Sequence, residues 1–104
     1  MTNMELNEMK GLWSLYQSAK EKSEELDNAI DNFLRAMGES GPDADLDQEL
    51  ADLQVGADNW YIQNEYPAFN SLVESVAYHF GLSSKQARQM VGSPKFGRMM
   101  QEVK

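Results

Sequence analysis

The chain has 104 residues, enough for one domain or a small domain with an arm, and a formal net charge of −8, which sets it as a whole against nucleic acid and anionic membrane. The absence of cysteine excludes disulfides, thiolate metal sites and cysteine nucleophiles. No stretch is apolar for long enough to span a bilayer, and the start MTNMELNEMK lacks the basic residues and apolar run of a secretion signal, so no membrane association and a cytoplasmic location are expected.

Leu, Met, Ala, Glu, Gln and Lys are plentiful, and no alternating run of β-branched and aromatic residues reads as a strand, so the expected class is all-α. From about Asn3 to Met37, mostly apolar residues recur at Met9, Leu12, Tyr16, Ala19, Ser23, Leu26, Ile30, Phe33 and Met37. The alternating spacing of three and four is the rhythm of a coiled-coil seam. Between these positions Lys20, Glu21, Lys22, Glu24, Glu25, Asp27 and Asp31 form a solvated, mostly acidic face. Two glycines and a proline between Gly38 and Asp45 end this helix, and Asp45 followed by Gln48 resembles a capping box for the next.

The second helix is expected from about Leu46 to Tyr66, with Leu46, Leu50, Leu53, Ala57 and Trp60 repeating the spacing. Gly56 could kink it or admit a close approach, and Asp58 could cap a new helix. Two such helices joined by a short loop should fold back as an antiparallel hairpin. The seam could close within one chain or between two, and Leu12, Tyr16, Leu26, Ile30 and Phe33 are the candidate dimer or partner contacts.

Pro67 biases the residue before it away from helix and suits the first turn of a third helix, Pro67 to Phe80, with Phe69, Leu72, Val73, Val76 and Phe80 inward. Gly81 ends it. Ser83 with Gln86 opens a fourth helix to about Val91; Gly92-Ser93-Pro94 stops that one, and Lys95 to Val103 forms a fifth. The expected organisation is an acidic hairpin, residues 1–66, followed by a short three-helix head, residues 67–104.

Charge divides along the chain. Up to Ala77, four bases stand against sixteen acids, a net −12; from Tyr78 onward, five bases stand against Glu102 alone, a net +4. Such asymmetry suggests two surfaces with different partners.

The stretch from Val73 to Val91 resembles the helix-turn-helix superfamily of DNA-binding domains. Ala77 supplies the small residue where two helices cross, Gly81 the turn residue that tolerates a left-handed backbone, Leu82 the apolar plug, and Ala87 and Met90 the inward face of the second helix. The resemblance implies that Ser83, Ser84, Lys85, Arg88 and Gln89 face the duplex. Arg pairs with guanine and Gln with adenine in the major groove, and Lys95 and Arg98 would hold the phosphate backbone. A homodimer would place two such heads on successive half-sites.

The competing expectation is an adaptor or inhibitor of the phage type, which uses the charge of Glu21, Glu24, Glu25, Asp27 and Asp31 to occupy a basic groove on a host protein that handles nucleic acid. Catalysis, cofactors and metals are not expected. His79 is the single histidine and reads as a partly exposed residue of the third helix. Asp43, Asp45 and Asp47 have the first-third-fifth spacing of a calcium loop, but Gln48 and Gln54 stand where its glycine and final glutamate belong. Trp13, Tyr16, Trp60, Tyr61 and Tyr66 are expected to cluster between the hairpin helices.

Overall fold

The heptad rhythm of the first segment is realised as one helix, α1, Asn3–Ser40, in a computed structural model that describes residues 2–40 and 44–103. Its 38 residues at 1.5 Å each extend roughly 57 Å, close to the 58 Å long axis of the molecule, so α1 is the spine. Thr2 and Glu5 close its N-terminus reciprocally. The Glu5 amide donates to Thr2 Oγ1 and the Thr2 amide to Glu5 Oε2, each at 3.2 Å. Every seam position from Met9 to Met37 is buried or half-buried, while Glu21, Glu24, Glu25, Asp27 and Asp31 are exposed.

The second arm returns antiparallel to α1. It comprises α2, Ala44–Trp60, then a π-helical turn, Tyr61–Glu65, then α3, Tyr66–Phe80. Leu46, Leu50, Leu53, Ala57 and Trp60 are each half-buried, and α2 packs on α1, so the seam closes within the chain. The Trp60 indole donates to the Ala19 carbonyl of α1 at 2.8 Å. Helix α2 begins one residue before Asp45, which places Asp45 and Asp47 in its first turn, where negative charge complements the helix dipole. Gln48 donates to Asp52 at 3.1 Å. The helix passes through Gly56 and Asp58 without a break, so no new helix starts at Asp58, and a side chain at Gly56 would meet nothing within 4 Å, so no close approach occurs there. Gly41, Pro42 and Asp43, on which the expected turn and the calcium spacing partly rest, lie outside the described residues.

The break expected at Pro67 is absent. Trp60 and Tyr66, which flank the π turn, both have right-handed helical backbone, and the helix continues across residues 66 and 67. Proline removes one amide, and in an α-helix its ring collides with the carbonyl four residues back, here Gln63. The wider π turn immediately before Pro67 absorbs that conflict: the Tyr66 amide reaches five residues back, to the Tyr61 carbonyl.

Two short helices complete the head, α4, Ser84–Val91, and α5, Pro94–Glu102. The hydrophobic core lies at this end, built from Met9, Leu72, Val73, Val76, Ala87, Val91, Phe96 and Met100, with Leu12, Trp13, Tyr16, Phe69, Leu82 and Met90 packed around it. Fully burying a Met, Leu or Phe side chain contributes about 1.5–3 kcal/mol each, so the head holds most of the apolar stabilisation. The Lys10 ammonium donates to the Val103 carbonyl and ties the two ends of the described chain together. Phe80, expected inward, is 38% exposed. It is the last residue of α3, and the chain reverses at Gly81 before another element can cover it. The architecture is therefore all-α, a long antiparallel hairpin with a small helical head, and no helix among the described residues is long and apolar enough to cross a membrane.

Candidate nucleic-acid interface

The geometry of the head starts from Gly81. Its φ of 65° and ψ of 38° are left-handed, a conformation that costs an L side chain about 1–2 kcal/mol and glycine almost nothing. That single residue stops α3. The Gly81 and Leu82 amides both turn back to the Ala77 carbonyl, the latter at 3.0 Å, which satisfies an acceptor the helix end would otherwise leave open. Leu82 folds back with Ala77 onto the core, as the plug of such a turn requires.

Ser83 then opens α4. Its extended backbone and hydroxyl form a full capping box, with the Gln86 amide donating to Ser83 Oγ at 3.2 Å and the Ser83 amide to Gln86 Oε1 at 3.0 Å. The hydroxyl oxygen is committed to the cap, but its O–H remains free to donate outward. Ala87 and Val91 are buried and Met90 is half-buried, so the inward face of α4 is settled. Ser84, Lys85, Arg88 and Gln89 are all exposed, and the three-to-four spacing from Lys85 to Arg88 and Gln89 gathers them on one side of the helix.

Helix α5 packs on α4 and on α1. Ser93 caps it, accepting from the Phe96 amide at 3.3 Å, and Pro94 sits in its first turn. Lys95 and Arg98 are exposed and, with Met99 and Glu102, line an open depression of about 470 Å³. Among the described residues, no carboxylate pairs with Lys85, Arg88, Lys95 or Arg98. Four unpaired cations therefore stand on two adjoining helices, with Glu102 beside one pair. Lys104 lies outside the described residues.

The other anticipated residues fall elsewhere. Leu12 and Tyr16 pack against the core of their own chain, and Leu26, Ile30 and Phe33 are half-buried along the hairpin. His79 is largely buried, its Nδ1 3.8 Å from Glu5 Oε2 and its ring edge-on to Tyr78, so it links α3 to the start of α1. The expected aromatic cluster divides in three. Trp13 faces Gly97 of α5, and Trp60 binds the α1 backbone. Tyr16, Tyr61 and Tyr66 instead join Phe69 and Glu65 around a recess of about 210 Å³. The expected grouping of Tyr16, Tyr61 and Tyr66 is met there, whereas Trp13 and Trp60 fall outside it and Phe69 and Glu65 join it.

No family model matches the chain, and neither the comparison with curated proteins nor that with solved structures returns a match.

Proposed function

We propose that this protein is a small DNA-binding regulator that meets duplex DNA with α4. The observation that carries the reading is the α3–Gly81–α4 unit, in which a left-handed glycine and a complete capping box hold a helix whose outward side chains are Ser84, Lys85, Arg88 and Gln89. These are the side-chain types that read base edges, and Lys95 and Arg98 suit contacts to phosphate. Most of the hairpin's acids lie away from the head, although Glu5, Glu8 and Glu74 stand at the head end. Glu24 lies fifteen residues beyond Met9 along α1, roughly 22 Å, more than two Debye lengths at physiological salt (~8 Å). In this reading two copies associate through the hairpins and present two heads to half-sites, and exposed Leu34 and Val55 are available for that contact.

Fluorescence anisotropy on labelled duplex DNA tests the proposal. Arg88→Ala should cost about 1–3 kcal/mol, whereas Lys95→Ala should weaken binding uniformly across sequences and reduce the salt slope by about 1. Absence of duplex binding at low salt overturns it. A second reading, a protein adaptor that docks through the hairpin, draws support from the exposed acids Glu21, Glu24, Glu25, Asp27 and Asp31 on α1. It requires capture of a basic protein that is lost on charge reversal at Glu24, Glu25 and Asp31.

A further inference from the structure

The recess at the middle of the molecule is built differently from the head. Tyr61 and Tyr66 are five residues apart, a separation that points two side chains in different directions on an α-helix, where residues three and four apart are neighbours. The π turn brings them together: the Tyr66 amide bonds the Tyr61 carbonyl, and their rings lie 6.1 Å apart, tilted by 44°. Across from them, Tyr16 of α1 and Phe69 of α3 form a second tilted pair at 5.3 Å. Glu65 completes the wall, and it is half-buried with no cationic partner among the described residues.

We propose that this recess is an aromatic cage for a methylated ammonium group, with Tyr16, Tyr61, Tyr66 and Phe69 as its walls and Glu65 as its counter-charge. Aromatic faces carry negative quadrupole potential and attract a cation that has shed its water, and a methylated ammonium sheds water more readily than a primary one because it has fewer N–H donors. A volume of about 210 Å³ suits a compact headgroup and falls below the ~300–1,000 Å³ typical of sites for drug-sized ligands. Burial first, then the nearby charges of Glu65 and Tyr61, hold the Tyr16 phenol above its ordinary pKa. Burial disfavours charge of either sign, so it is the Glu65 carboxylate that makes the recess favour a cation. π turns recur at functional sites because they re-aim side chains, and here the side chains re-aimed are the cage itself.

The headgroup could belong to a free small molecule or to a methylated lysine of another protein. Calorimetric titration of the full chain distinguishes them, with choline and tetramethylammonium as free probes and a short trimethyllysine peptide as the other. All three should bind. The neutral isostere 3,3-dimethylbutan-1-ol and the unmethylated peptide should bind about fivefold more weakly or worse. A peptide markedly tighter than tetramethylammonium indicates a protein-borne ligand, and equal affinity indicates a free one. Glu65→Gln and Tyr61→Leu, at positions outside the core, should each weaken choline several-fold while leaving the melting midpoint nearly unchanged. The proposal is overturned if the neutral isostere matches choline, if methylation makes no difference to the peptide, or if no probe binds; these comparisons on the unaltered chain decide the matter even if a variant fails to fold.

Discussion

At the scale of single residues, Tyr16 shows how position within the fold changes a group's chemistry. Burial, and secondarily the charges of Glu65 and Tyr61, raise its phenol above the ordinary 10.0, so folding favours the protonated form. The sign follows directly. This contribution to stability is complete below the unfolded pKa near 10 and is lost as pH rises through the higher folded value. Spectrophotometric titration of phenolate should show one tyrosine ionising late, and Tyr16→Phe should abolish that phase and flatten the fall in denaturation midpoint above pH 10; persistence of the late phase in the variant would contradict the assignment. Tyr16 was legible as a seam residue, since its place in the three-four rhythm is unambiguous. Tyr61 and Tyr66 were legible as its aromatic partners, but Phe69 and Glu65 were not, because they depend on which residues the opposite arm brings alongside. Phe80 marks the complementary limit. Periodicity placed it inward, but periodicity knows nothing of where the covering elements end.

At the scale of elements, the short helices were the most legible. Gly81, the Ser83–Gln86 pair and Gly92-Ser93-Pro94 mark the ends of α3, α4 and α5 because each acts through its own backbone within a few residues. Helix α4 has eight residues, short of the ~12–15 at which isolated helices become even marginally stable. It depends on its cap and on packing. Ser83→Ala should therefore cost about 1 kcal/mol, measured as a lowered denaturant midpoint with unchanged slope; a neutral effect would mean that packing of Ala87 and Val91 alone holds the helix. The Pro67 boundary misled because the rule that proline ends a helix is a local preference. Packing of Leu72, Val73 and Val76 against α1 holds the second arm in line, and one π turn is a smaller disturbance than a break.

At the scale of the molecule, a radius of gyration of 18.0 Å, against about 13 Å for a compact chain of 100 residues, describes an elongated body with unequal ends. The head holds the fully buried side chains, whereas beyond Ala19 the arms meet, among the described residues, only through half-buried ones. Hydrogen exchange should follow that gradient, with amides of α3 and the first third of α1 protected far longer than those of residues 30–39 and 45–50. Uniform protection from end to end would show that the hairpin is stabilised by something outside the single chain, and a second copy would be the first suspect. The same gradient bears on how the chain comes together. In the core cluster, Met9 is the only member from α1; the others come from residues 72–100. A ribosome must therefore deliver the whole hairpin before Met9 finds its neighbours, and the hairpin, by reversing direction once, performs most of the loop closure that the head would otherwise have to achieve by diffusion. Lengthening that arm in place would leave the head's contacts intact while raising their separation along the chain, and should slow refolding modestly, since each doubling of the intervening length costs only about 0.6 kcal/mol.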